Sequence, residues 1–152
     1  MSGLLVLGTV HAHDLTVKMA LFPASSFEAK TSKMKGEVKK EGSKYTAENL
    51  WVKVEELKTD ITLRDEHFQK HLQLDKHPKI TLTKVVAEGG KGTGTLTVNG
   101  IPKPVTFTYK EAGPKKLEAF MKVKASDFKL GEAKYMGVGV EDQVEITAVI
   151  EL

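Results

Sequence analysis

The chain has 152 residues, 40% apolar and 28% charged, with a net charge of +3 and no cysteine. That is one domain, large enough for a real core or an enclosed cavity. Thiol catalysis, Cys-based zinc sites and disulfides are excluded. The mild positive charge does not suit nucleic acid either, because its lysines are spread along the chain and Arg64 is the sole arginine.

Residues 3–10 form the most continuous apolar run. They fall far short of the ~20 residues that a membrane-spanning helix needs, so no transmembrane segment is expected. Val10-His11-Ala12 has the small-residue spacing of a signal-peptidase site, yet no Lys or Arg precedes Lys18. Residues 1–12 read either as a signal-peptide remnant or as a first strand, with the domain proper over 13–152. His11 and His13 share a strand face, and a metal role for them is disfavoured.

From there, two-residue alternation dominates, the mark of strands with one dry and one wet face. Leu15, Val17, Met19 and Leu21 share a face. Leu50, Val52 and Val54 alternate with Trp51, Lys53 and Glu55. Val105, Phe107 and Tyr109 follow, then Leu117, Ala119, Met121 and Val123, and finally Val144, Ile146, Ala148, Ile150 and Leu152. Turn signals separate the runs: Glu41-Gly42-Ser43, Glu88-Gly89-Gly90-Lys91-Gly92, Asn99-Gly100 and Ala112-Gly113-Pro114. Asn99-Gly100 tolerates the positive φ angles of a type I′ turn, which predicts a tight hairpin between Gly94–Val98 and Pro102–Tyr109. Pro102 and Pro104 lack amide donors and stand at the start of their strand, where the ladder can spare them.

One segment breaks the period. Thr62 to Leu72 has apolar residues at 63, 68 and 72, with Thr62 placed to cap and Asp65 and Glu66 in the first turn. Pro78 prevents a continuation. The expectation is an all-β chain with one short α-helix: an up-and-down antiparallel barrel, whose closure removes exposed edges.

Several blocks carry a family resemblance. Pro23-Ala24-Ser25-Ser26-Phe27 leads into Met34-Lys35-Gly36-Glu37-Val38. Then come Leu63-Arg64-Asp65-Glu66-His67-Phe68, Leu74-Asp75-Lys76-His77-Pro78-Lys79-Ile80-Thr81-Leu82, and Gly94 through Val105 with its Asn99-Gly100-Ile101-Pro102-Lys103-Pro104-Val105 core. In this order and spacing they resemble the YceI-like family, a lipocalin-like group described as polyisoprenoid-binding. The resemblance implies a barrel with a helix alongside and an apolar tunnel for an isoprenoid chain, such as a quinone or prenyl-phosphate lipid. It also implies a periplasmic or secreted location, no cofactor, and no agreed catalytic residues. A homodimer through an exposed strand or the helix side is compatible with it.

Candidate tunnel-lining residues are Val17, Met19, Phe27, Val52, Val54, Leu82, Phe107, Met121, Ile146 and Ala148. A closed, filled core needs the same apolar inward pattern, so periodicity does not separate a hollow barrel from a solid one. Flexible Met19, Met121 and Met136 suit a tunnel but also suit a core. His67 and His71 are spaced i, i+4, and with His77 offer an alternative zinc site; Phe68 stands where a metalloprotease helix would put its base. The bland alternatives are capping, exposure and ion pairing, with Arg64 paired to a carboxylate. Gly89-Gly90-Lys91-Gly92 lacks phosphate-loop spacing and reads as a hairpin turn, and Gly137-Val138-Gly139 reads as a loop before the last strand. Ser25, Ser26, Ser43 and Ser126 lack a nucleophile-elbow context, and the carboxylates are interleaved with lysines. No catalytic constellation stands out, and the expected role is to carry an apolar ligand.

Overall fold

A computed structural model describes residues 12–22, 26–59, 62–72, 75–129, 134–135 and 138–152; the side chains at 12, 20–22, 26–27, 62–63, 67–68, 71 and 134–141 fall outside that description. The alternating stretches become strands β1 (Ala12–Phe22), β2 (Ser26–Lys35), β3 (Lys39–Glu41), β4 (Lys44–Lys53), β5 (Lys79–Glu88), β6 (Lys91–Val98), β7 (Ile101–Gly113), β8 (Lys116–Lys124), β9 (Lys134–Tyr135) and β10 (Val138–Glu151), with helix α1 (Thr62–His71) between β4 and β5. The sheet runs β1-β2-β4-β5-β6-β7-β8-β10, every pair antiparallel, and β10 pairs back onto β1. Eight strands thus close an up-and-down barrel, with β3 added along β4 and β9 along β10. The last strand begins at Val138 rather than after Gly139, because Gly139 pairs with Phe22 and continues the closing ladder.

Closure depends on local chemistry at a few positions. Asn99 and Gly100 have φ of 54° and 74°, so both central residues are left-handed and the β6–β7 turn is type I′. The glycine-rich stretch before it turns only at Gly89 and Gly90, while Lys91 and Gly92 already belong to β6. Gly36 carries φ 133° where the chain bends between β2 and β3. A Cβ there would lie 2.5 Å from the Asn49 carbonyl oxygen and 2.6 Å from Leu50 Cδ2, so only glycine lets the bend press against β4.

One bulge sets which face looks inward. Lys84 has φ 55°, and the β5–β6 register shifts between Thr83 and Val86. Ile80 and Leu82 share the core before this bulge; Val85 and Ala87 share it after. On the partner strand, Leu50 and Val52 are buried beyond it and Tyr45 and Ala47 before it, with Glu48 and Asn49 both exposed between. Strict alternation is therefore broken on adjacent strands at one level, which bends the wall.

Candidate functional site

The inner wall is apolar along its middle. Paired across the β1–β10 closure are Leu15 with Ala148, Val17 with Ile146, and Met19 with Val144; Ile146 and Ala148 continue onto Met121 and Ala119 of β8. Opposite them lie Leu82 against Leu96, Gly94 against Val105 and Gly92 against Phe107. Within these rows Leu15, Met19, Leu96 and Met121 are buried. Val17, Leu82, Val105, Phe107, Val144, Ile146 and Ala148 keep intermediate solvent exposure. Several inner positions carry little or no side chain: Ala29, Ala47, Ala87, Gly92, Gly94, Ala119 and Ala148. A Cβ on Gly92 would fall on the Phe107 ring and 2.9 Å from Ala87 Cβ, so glycine lets that ring lie back against β6 instead of crossing the interior. The inner face is thus apolar, with small residues at several positions and some solvent access along its middle.

The ten candidate lining residues distribute as follows. Val17, Leu82, Phe107, Ile146 and Ala148 sit on the inner face with accessible surface. Met19 and Met121 are buried beside them. Val52 and Val54 are exposed by only 2% and 1%, so they are packing residues at the β4 terminus; Val54 opens a short 3-10 turn over 54–56 and its amide donates to the Pro78 carbonyl at 2.9 Å. Phe27 pairs with Met19 in the β1–β2 register, and its side chain lies outside the described residues.

One end of the barrel is sealed by polar contacts that periodicity did not reveal. His13 is 1% exposed. The Glu151 amide donates to its Nδ1 at 3.0 Å, and Nε2 donates to the Gly36 carbonyl at 2.8 Å, which fixes the neutral Nε2–H tautomer. One imidazole therefore ties β1, the bend after β2 and the end of β10. Nearby, the buried Tyr45 meets Tyr109 edge-to-face with ring centroids 5.6 Å apart, and its hydroxyl donates to Glu111 Oε1 at 2.9 Å. Burial, followed by that carboxylate, pushes the Tyr45 hydroxyl above its ordinary value of 10.0. Outside the pair lies a cleft of about 490 Å³ that also touches Lys40, Ser43, Lys110 and the Gly89–Gly90 turn. The signal for His13 was its parity with Leu15 and Val17, but its partners are 23 and 138 residues away.

At the other end lie α1 and the turns around it. Leu72, just past the helix, is buried with Val54, Leu96, Val98, Met121 and Phe128. The helix start is tied down from outside: Asp65 Oδ1 accepts from the Thr59 amide at 2.7 Å and the Thr59 hydroxyl at 2.6 Å, and Arg64 Nη2 donates to the Thr59 carbonyl at 3.1 Å. The His67 and His71 side chains lie outside the described residues, as does Met136. His77 stacks at the β6–β7 turn, its Cε1 2.6 Å from where a Gly100 Cβ would stand. Among the described residues no three His, Asp or Glu side chains converge as metal ligands.

At this end the wall also parts. The β7–β8 ladder pairs Thr108 with Phe120 through Gly113 with Lys116, and stops there. Val98 and Ile101 flank a two-residue turn and exchange both ladder bonds, so Pro102 and Pro104 fall at non-hydrogen-bonded positions of the β6–β7 pair. Their missing amide hydrogens are those that would have pointed at β8. The ladder has already ended at Thr108, and the prolines keep the stretch beyond it from pairing with β8 at those two positions. Phe128, 2% exposed, packs into the divergence, and its carbonyl accepts from Asn99 Nδ2 at 3.1 Å.

An eight-stranded up-and-down barrel with an apolar interior and one α-helix defines a lipocalin-like class of protein. The sequence matches the YceI-like domain over residues 9–152, and the chain belongs to that family. It is 35% identical over 95 residues to the UPF0312 protein plu2095 of Photorhabdus laumondii, a match covering 53% of this chain; it spans about half (50%) of that relative's length. Among solved structures it is similar to Burkholderia cenocepacia BcnA, at TM-score 0.69 and 20% identity over 89% of this chain and 94% of that one. A polyisoprenoid binding domain from Saccharophagus degradans, implicated in plant cell wall breakdown, superposes at TM-score 0.66 and 13% identity, covering 92% and 94%. At these identities the likeness is one of fold. No helix among the described residues is long and apolar enough to cross a membrane.

Proposed function

We propose that this protein is a carrier that holds a long apolar chain, of isoprenoid type, along the inner wall of its barrel. The observation that carries the proposal is the row of inward apolar residues that keep accessible surface: Val17, Leu82, Phe107, Ile146 and Ala148. A filled eight-stranded barrel would bury this row completely. Each CH₂ taken from water contributes about 0.8 kcal/mol, so a chain of several isoprene units binds through burial alone, without a dedicated polar contact. Family membership supports the same role, as does the polyisoprenoid-binding description of the Saccharophagus domain. Binding, rather than catalysis, is the activity they support. A periplasmic or secreted setting suits a shuttle for membrane lipids, and the family resemblance favours it.

The test is to narrow the tunnel without touching its mouth. Ala148→Trp and Ala119→Trp place large side chains on adjacent inner positions of β10 and β8. Each is expected to weaken binding of geranylgeraniol by more than tenfold, with the melting transition retained. Wild-type protein that takes up no geranylgeraniol would reject the carrier role.

A further inference from the structure

We propose that the parted β7–β8 seam is the ligand's portal, and that Lys103 at its inner edge anchors an anionic head group, a carboxylate or phosphate at the end of the apolar chain. This rests on the carrier role and extends it to the class of ligand. Register and exposure together place Lys103 at this edge. It is paired with Leu96, a buried residue of the inner wall, and stands in β7 two residues from Ile101 and from Val105, both of which pack on the core. Its side chain therefore leaves the strand on the inner face. Yet Lys103 is exposed. Both hold where the residue stands at the rim of the wall, near the β6–β7 turn. Lys18 and Lys122 are registered with Glu145, and Lys91 with Thr108, all on the outer face; Lys40 of the added strand β3 is registered with the buried Tyr45, but its ammonium lies over that ring, 5.6 Å from the centroid.

Lys103 lies between the two prolines, in the part of β7 beyond the end of the β7–β8 ladder at Thr108. Among the described residues it has no ion pair or hydrogen bond. An ammonium beside Leu96, Ile101 and Val105 meets an anion next to apolar surface, where water competes less for the contact. The opposite end carries Glu111 on the inner face beyond Tyr109, with the Tyr45 hydroxyl bound to it. On the inner face a carboxylate disfavours an anionic head, and the two lysines of this end, Lys40 and Lys110, border the cleft outside the tyrosine pair. The inner wall thus has a direction: head at Lys103, tail running toward the tyrosine pair.

The experiment measures binding of two matched pairs, retinoic acid against retinol and geranylgeranyl phosphate against geranylgeraniol, to the full chain. Wild-type protein is expected to favour the anionic member of at least one pair by about tenfold, the scale of one charge-assisted contact. Preference in the first pair assigns a carboxylate ligand; preference in the second, a phosphate. Lys103→Met should abolish the preference while leaving affinity for the neutral alcohol unchanged, Lys103→Glu should reverse it, and Lys103→Arg should keep it. Lys110→Met, at the opposite end, should change nothing. Equal binding of both members by the wild type, or a preference that survives Lys103→Met, overturns the anchor and leaves the carrier role standing. If no member of either pair binds, both fall.

Discussion

At one end of the barrel a histidine exposed by only 1% ties three strands together; at the other, a lysine on the inner face stands in solvent. The first end is closed by directional bonds, His13 to Gly36 and Glu151 and Tyr45 to Glu111. The second is closed by packing, with Leu72 and Phe128 set against Val54, Leu96, Val98 and Met121, while the strand ladder beside them stops. Buried hydrogen bonds have one geometry and resist sliding, whereas apolar packing tolerates rearrangement. Under the proposed carrier role, the first end is the one that holds its shape and the second the one through which a ligand would pass.

The sharpest way to break the first end is His13→Ala. It strands the Gly36 carbonyl and the Glu151 amide and leaves a void, with an expected cost of about 3 kcal/mol in denaturant unfolding. Lys103→Met at the second end should leave the unfolding midpoint where it was. Between the ends, Gly92→Val forces the Phe107 ring off β6 and into the interior. About 2 kcal/mol of stability should be lost, together with most capacity for a long ligand, read by calorimetric titration. Pro102→Thr with Pro104→Thr returns two amide donors to the β8 side. The seam should then zip further, and ligand release, followed by stopped-flow displacement, should slow several-fold. Unchanged release would mean that the ligand leaves by another route.

Smaller effects separate the ends by pH. The Tyr45 hydroxyl is held above 10.0 by burial and then by Glu111. Its neutral form is favoured by folding, so its contribution is complete below pH 10.0 and is lost as pH rises through the raised value. Tyr45→Phe should remove that alkaline loss at a cost near 1 kcal/mol at neutral pH. Asp142 behaves in the opposite sense. Its carboxylate accepts from the Ser126 hydroxyl at 2.6 Å and the Ser126 amide at 2.8 Å, and these bonds hold it below its ordinary 3.8. Its contribution is present above pH 3.8 and is lost as pH falls through the lowered value. The effect is small because the site is exposed. In Asp142→Asn the acid loss assigned to this turn should vanish, seen as flatter melting temperatures across the acid range.

Much of this barrel could be read from local pattern, because alternation, turn chemistry and helix period each depend on neighbouring residues. Asn99-Gly100 specified its turn, and the helix began at Thr62 as its spacing required. What escaped depended on distant partners or broken period. The bulge at Lys84 moves the inner face from Ile80 and Leu82 to Val85 and Ala87, so Tyr45 and Ala47 were missing from the expected interior. Val52 and Val54 have the right parity for lining but lie where the 3-10 turn packs them away. His13 looked like a strand-face histidine near a cleavable segment, since nothing local announces a bond to residue 151. Lys103 has the parity of Val105 and Phe107. It falls in the strand expected after the Asn99-Gly100 turn, but its charge and flanking prolines hide its face until the register with Leu96 sets it.

The most direct test of the carrier role is to extract freshly expressed protein with organic solvent and analyse the extract by mass spectrometry, beside native mass spectrometry of the intact chain. A single long apolar molecule in stoichiometric amount, lost from the intact mass when the tunnel is narrowed by Ala148→Trp, is the expected result. Protein that emerges empty, and remains empty after incubation with geranylgeraniol or a long-chain quinone, would contradict it.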